Sequence, residues 1–203
     1  MISDVTVFNI REYLSAKGDQ NFGEDELRQL LSEFLCGKNP DVERFLKEQS
    51  IEFTKKNQSV TYLVFSNSDA SLVGYFTLAI KPISVNADKF SNTMKRKIAR
   101  VSELNESNGV YTLSAYLIAQ LGKNFQDDAN EKITGEQLLQ AAVETIKELQ
   151  YMAGGMVYFL EAEDENHLNE FYEKKNNFKR FDTKEVKSGV VDEHTLVQYL
   201  KVL

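Results

Sequence analysis

Two apolar runs separated by one long amphipathic segment constrain this chain more than any other feature. Residues 110 to 121 read VYTLSAYLIAQL, apolar along nearly the whole run, and a second such run occupies Met156 to Glu161. Between them, from Thr134 to Met152, Leu138, Leu139, Ala142, Val143, Ile146 and Leu149 recur at the spacing of one helical stripe. Strands that are apolar on both faces suit the centre of a sheet covered on each side. A helix this long between two of them predicts a crossover unit, because parallel strands need a connection of a dozen or more residues. Gly154-Gly155 supplies the stop.

The remaining segments fit around that unit. Val5 to Ile10 alternates as an opening strand, and Gly23 to Leu35 places Leu27, Leu30, Leu31, Phe34 and Leu35 at helical spacing before Gly37. Asn39-Pro40-Asp41 restarts a helix with proline in its first turn, carrying Val42, Phe45, Leu46 and Ile51 on one face. Val60 to Ser66 and Ser71 to Ile80 read as a hairpin across Asn67-Ser68-Asp69-Ala70. Pro82 to Ser107 reads as a polar excursion with a short helical middle. Asn166 to Lys175 reads as a helix, and Phe178 to Phe181 with Thr195 to Val202 as closing strands. The order β, α, α, β, β, β, α, β, α, β, β, without repeat or linker, predicts one α/β domain over residues 1 to 203.

Composition narrows the chemistry by exclusion. Lys and Arg total 24 against 31 Asp and Glu, a formal charge of −7, which sets the surface as a whole against nucleic acid and anionic lipid. The densest basic stretch, Lys95-Arg96-Lys97 with Arg100, reads as the solvated face of a short helix. One cysteine, Cys36, allows no internal disulfide, and the chain opens with no apolar leader. A cytoplasmic protein without membrane spans is the expectation. His167 and His194 are the only histidines, lack metal-ligand spacing, and predict no metal site. Cys36 after a leucine-rich helix reads as a small core residue rather than a nucleophile. Glu161, Glu163, Asp164 and Glu165 follow a buried strand, where carboxylates could deprotonate an amine or simply sit at a helix start.

Residues 127 to 142, DDANEKITGEQLLQAA, pose the sharpest question. Thr134 before Gly135-Glu136-Gln137 reads equally as an ordinary capped helix start or as a phosphate cradle built on free backbone N–H groups. A Walker A loop is excluded, since no glycine-rich run precedes Lys-Ser or Lys-Thr.

Several stretches together resemble a known superfamily. Tyr116-Leu117-Ile118-Ala119-Gln120-Leu121-Gly122-Lys123-Asn124, the Gly135-Glu136-Gln137-Leu138-Leu139 helix start and Phe171-Tyr172-Glu173-Lys174-Lys175-Asn176-Asn177-Phe178 resemble the signatures of the GNAT superfamily of acyl-CoA-dependent N-acetyltransferases. Phe34-Leu35-Cys36-Gly37, Arg44-Phe45-Leu46, Thr61-Tyr62-Leu63-Val64 and Gly74-Tyr75-Phe76-Thr77-Leu78 are similar to the branch that includes acetyltransferase toxins of bacterial toxin/antitoxin pairs.

The resemblance implies a mixed β-sheet, splayed at its centre and flanked by helices, with acetyl-CoA as co-substrate and no metal. It implies that the strand end at Leu121, Gly122 and Lys123 bonds the pantetheine arm, and that Ile133, Thr134, Gly135 and Glu136 present the diphosphate loop. In the superfamily pattern Gln or Arg is expected at Asn130 and glycine at Ile133, so only Gly135 matches, with Thr134 and Lys132 as substitutes. Tyr172 is implied as the proton donor to the CoA thiolate, although Asn177 stands for a glycine and the spacing to Phe178 is one residue longer. The expected acceptor is a small-molecule, peptide or protein amine. A toxin acting on aminoacyl-tRNA is opposed by the net charge without being excluded, and a non-catalytic acyl-CoA-binding module is the third reading.

Overall fold

The computed structural model describes residues 4 to 15, 23 to 188 and 191 to 203. These form β1 (Val5–Asn9), α1 (Ile10–Ser15), α2 (Glu24–Ser32), α3 (Pro40–Arg44), α4 (Ser50–Lys55), β2 (Val60–Ser66) and β3 (Leu72–Asn86). There follow α5 (Asn92–Ile98), β4 (Leu104–Asn105), β5 (Val110–Lys123), α6 (Gly135–Ala153), β6 (Val157–Glu163), α7 (Asn166–Asn169), β7 (Lys179–Ser188) and β8 (Val191–Val202). Single π-turns join α3 to α4 at Phe45–Gln49 and extend α7 at Glu170–Lys175. The class is mixed α/β, with eight mostly antiparallel strands and flanking helices.

The chain divides into two compact units. The first holds the N-terminal region to Ala79 together with Ala119–Thr145. Its strand order is β1-β2-β3-β5, with β1 and β3 each antiparallel to β2. Leu27, Leu31, Phe34, Leu46, Leu63 and Tyr75 are fully or almost fully buried in its core. The Asn39 side chain caps α3 by accepting from the Asp41 and Val42 N–H groups at 3.2 Å, with Pro40 at the position where a missing N–H costs nothing. The Tyr75 hydroxyl then donates to the Val42 carbonyl at 2.6 Å, so a buried phenol finds its partner while pinning the same helix.

The second unit comprises Ile80–Ile118 and Ile146–Leu203, with strand order β3-β5-β6-β8-β7 and β4 pairing off the path with β5. Here β5 and β6 are parallel, as the crossover predicts, and β6-β8 and β7-β8 are antiparallel. Ile83, Val85, Leu113, Phe159, Phe181 and Leu200 lie in its core. Gly154 and Gly155 end α6 at φ of 78° and 102°, a conformation in which a Cβ is strained.

Three expectations need correction. The strand expected to stop at Ile80 continues through Pro82 to Asn86; Lys81 and Pro82 are exposed, and burial then alternates at Ile83 and Val85. The helix α1 was not expected, although Ile10, its anchor, is fully buried. The closing strands are longer than expected, reaching from Lys179 to Ser188 and from Val191 to Val202.

Candidate active site

All the residues implied to hold the co-substrate fall in the first unit, and Tyr172 falls in the second. The end of β5 is built around Gly122. This residue is buried, and a Cβ there would lie 2.5 Å from Val42 Cγ1 and 3.2 Å from Tyr75 Cε1. Glycine is therefore required by the close approach of α3 to the strand. Gly122→Ala is expected to destabilise by about 1–3 kcal/mol through overpacking, since a β-branched valine cannot swing aside. Urea unfolding of Gly122→Ala alone and combined with Val42→Ala checks this: the second change should recover part of the loss.

Leu121 and Lys123 on either side are half-buried. The parallel register with β6 covers Tyr116, Leu117 and Ile118, whereas β5 itself runs on to Lys123. Beyond the strand, Asn124 is buried and ties three segments together. Its own N–H donates to the Val73 carbonyl at 2.9 Å and its Nδ2 to the Leu72 carbonyl at 2.8 Å. Its Oδ1 accepts from Leu35 N–H at 3.0 Å and Gln126 N–H at 3.1 Å.

The start of α6 answers the question posed by its sequence. Thr134 is its cap: the Thr134 hydroxyl accepts from Gln137 N–H at 3.1 Å, and the Gln137 side chain accepts from Thr134 N–H at 2.8 Å. An α-helix leaves its first four N–H groups without intrahelical partners. The capping box takes the first and fourth of these. Those of Gly135 and Glu136 are left, and the Thr134 hydroxyl keeps its own proton to donate outward. Leu138 N–H already bonds the Thr134 carbonyl at 3.0 Å, so the helix is regular from that point.

Ile133 is almost fully buried, and the positive φ of this loop sits at Asp127 instead. Its side chain is a core anchor, and any contact with a ligand would run through its backbone. Lys132 does not carry a spare charge. Its ammonium lies 2.8 Å from Asp128 Oδ1 and 2.6 Å from Asp69 Oδ2; Asp128 and then Asp69 raise its pKa, and it in turn holds the Asp69 carboxyl far below the usual range.

Around Tyr172 the two departures from the superfamily pattern have structural explanations. The longer spacing to Phe178 is absorbed by the π-turn at Glu170–Lys175, which winds one additional residue into the helix: Asn176 N–H bonds the Phe171 carbonyl at 3.1 Å. Asn177 takes φ of 54°, the left-handed conformation that asparagine adopts more readily than most residues in place of glycine. Phe178 N–H then closes onto the Tyr172 carbonyl at 2.9 Å.

The Tyr172 ring is buried against Phe171, Phe178 and Tyr199 at centroid distances of 5.0, 5.8 and 5.3 Å. Burial, and next the neighbouring Tyr199, pushes its phenol up to about 12, so it holds its proton throughout the neutral range. The Tyr199 hydroxyl donates to Asn169 Oδ1, and Asn169 Nδ2 donates to Asp164 at 3.0 Å.

The carboxylates singled out as bases are largely engaged. Asp164 also meets Arg180 at 3.3 Å, and its carboxyl is held below the ordinary range by Asn169 and then Arg180. Glu161 accepts from Gln198 at 2.6 Å and Lys184 at 3.1 Å, and exposed Glu165 pairs with His167 at 3.0 Å. The side chain of His194 lies outside the described residues. Cys36 is a buried core residue, and Arg96, Lys97 and Arg100 lie exposed on and just after α5 around buried Ile98. Among the described residues no group of His, Cys, Asp and Glu is placed to hold a metal, and no helix is long and apolar enough to cross a membrane.

No family model and no curated protein matches the sequence. Solved structures match it over nearly its full length. AtaT complexed with acetyl-methionyl-tRNAfMet superimposes with a TM-score of 0.60 at 15% identity, covering 96% of this chain and 94% of that one. A tyrosine-to-phenylalanine mutant of KacT gives 0.59 at 16%, covering 98% and 95%. AtaTR bound with AcCoA gives 0.53 at 13%, covering 98% and 93%. This chain shares its fold with AtaT and KacT, in keeping with the GNAT-like mixed α/β architecture that its sequence resemblance implied.

Proposed function

We propose that residues 1 to 203 act as a single acyltransferase domain, moving the acetyl group of acetyl-CoA to a primary amine in the cytoplasm. The observation that carries this reading is the combination found on one stretch of the first unit. There β5 runs on past the residues that pair with β6 to Lys123, and the chain then leads to a helix in which, among the described residues, the N–H groups of Gly135 and Glu136 have no partner. A pantetheine arm carries amides that pair with strand backbone in the manner of an added strand, here along Leu121, Gly122 and Lys123. The diphosphate suits Gly135 and Glu136 N–H and the Thr134 hydroxyl at the positive end of the α6 dipole, with Ile133 contributing backbone alone.

The reaction needs no metal. The neutral amine attacks the thioester carbon while a strand N–H polarises its oxygen, forming a C–N bond. The tetrahedral centre collapses with cleavage of the C–S bond, Tyr172 gives its proton to the departing thiolate, and water or a carboxylate takes the proton from the amine. Tyr172 recovers a proton from solvent.

Acetyl-CoA is expected to bind and to raise the melting temperature with ligand concentration, because the strand edge and helix start exist only in the folded chain. Calorimetry with no heat at millimolar acetyl-CoA would exclude the reading.

A second reading, a toxin that acetylates the amino group of aminoacyl-tRNA, is favoured by the fold shared with AtaT, which has been solved with acetyl-methionyl-tRNAfMet. The formal charge of −7 weighs against it, because a polyanion requires many phosphate contacts. Induced expression decides: growth arrest that disappears with Tyr172→Phe supports the toxin reading, and tolerated expression supports another amine.

A further inference from the structure

The segment after β5 brings two ammonium groups to one aromatic ring. Lys38 Nζ lies 5.2 Å from the centroid of Phe125, and Lys123 Nζ lies 6.0 Å from it. The ring is held in place from several directions. Phe125 N–H donates to the Leu35 carbonyl at 2.7 Å, its side chain packs against the core of the first unit, and buried Asn124 fixes the residue before it. Lys38 arrives from a turn closed by Asn39 N–H on the Cys36 carbonyl at 2.9 Å.

Three other lysines of the same unit are matched with carboxylates: Lys47 with Glu43, Lys55 with Glu24, and Lys132 with Asp69 and Asp128. Among the described residues Lys38 and Lys123 have no such partner. The ring attracts each ammonium weakly through its negative face. It carries no net charge, however, so two like charges converge uncompensated in a protein that is acidic overall. Burial, and next the charge of Lys38, lowers the pKa of Lys123. A bound anion would relieve both effects.

We infer that Lys38, Lys123 and Phe125 form a binding site for a phosphate-bearing ligand, with the ammoniums on phosphate oxygens and the ring against the attached organic group. The two cations lie at most 11.2 Å apart, a span that neighbouring phosphates of one ligand can bridge. The proposed co-substrate contacts use the backbone of residues 121 to 123 and hold the diphosphate at the start of α6, whereas this site uses two lysine side chains, which would meet a phosphate outside that diphosphate. It rests on the acetyltransferase reading only for the source of the phosphate, which is either the co-substrate or a phosphate-bearing acceptor.

Inorganic pyrophosphate is the first probe, titrated by calorimetry and by NMR shifts of Phe125. Saturable binding is expected, weakening with salt and falling about tenfold in Lys38→Gln and in Lys123→Gln, and about a hundredfold in the double variant. Lys123→Arg, which keeps the charge, should keep the binding, and the variants' melting temperatures without ligand control for folding. Equal binding by wild type and double variant, or none by the wild type, overturns the site.

Acetyl-CoA and phosphate-free acetyl-pantetheine then identify the source. A double variant that loses affinity for the first but not the second assigns the phosphate to the co-substrate. Loss of pyrophosphate binding with both affinities intact assigns it to the acceptor. Pyrophosphate binding in a protein that does not bind acetyl-CoA at all would remove the acetyltransferase reading and leave the anion site standing.

Discussion

Replacing Asn124 by alanine is expected to lower the unfolding free energy by about 3–5 kcal/mol, a severe effect for one polar residue. The side chain is buried and answers three backbone groups: the N–H of Leu35, the N–H of Gln126 and the carbonyl of Leu72. Each orphaned buried group costs roughly 1–3 kcal/mol, with water entering the vacated space offsetting part of the sum. Aspartate should fare no better than alanine, because it cannot donate to Leu72 and brings a buried charge. Urea denaturation of Asn124→Ala and Asn124→Asp tests this, and a loss below about 1 kcal/mol in Asn124→Ala would show that solvent already satisfies those groups. The effect should extend to the candidate site, since Asn124 joins the end of β5 to β3 and to the segment carrying Leu35.

Much of this architecture was legible in the sequence wherever one periodicity dominated. The stripe of α6 and the apolar runs of β5 and β6 gave the parallel crossover, because only a long helix between two buried strands closes that connection. What escaped was set by exceptions to local rules. Pro82 reads as a strand end, yet β3 passes through it to Asn86 because the positions around the proline are exposed and the buried alternation resumes at Ile83 and Val85. The helix α1 carries Ile10, Tyr13 and Leu14 at helical spacing, but six residues give too short a pattern to separate from a strand end. The lengths of β7 and β8 were hidden by polar, weakly alternating sequences.

The candidate site divides in the same way. Gly135 and Thr134 were identifiable as a helix start, but which N–H groups remain free depends on Gln137 closing the capping box. Ile133 looked like a damaged glycine, and in the fold it is a core anchor with the positive φ moved to Asp127. Lys132 looked like a free charge and proved to be clamped between two carboxylates. The convergence of Lys38 and Lys123 on the Phe125 ring joins residues far apart in the chain, which no local pattern reveals.

Tyr172→Phe is expected to lower kcat by about 10² to 10⁴ while leaving acetyl-CoA affinity within a few-fold of wild type. The ring packs against Phe171, Phe178 and Tyr199, and phenylalanine preserves those contacts, so the change removes a proton donor and little else. The loss belongs in kcat because the hydroxyl serves the thiolate that forms as the C–S bond breaks, not the resting thioester. It should shrink for very weakly nucleophilic amines, where attack on the carbonyl limits the rate. The pH profile adds a second readout. Since the folded-state phenol is raised to about 12, above its ordinary value near 10, the proton is present at neutral pH and is lost only as pH climbs through that window. Wild-type kcat should therefore show no decline from this group below about pH 10. A thiol-release screen over polyamines, amino acids, aminoglycosides, peptides and aminoacyl-tRNA supplies the acceptor. If Tyr172→Phe then turns over at a near-normal rate, Tyr172 is a packing residue and the thiolate takes its proton from water or another group.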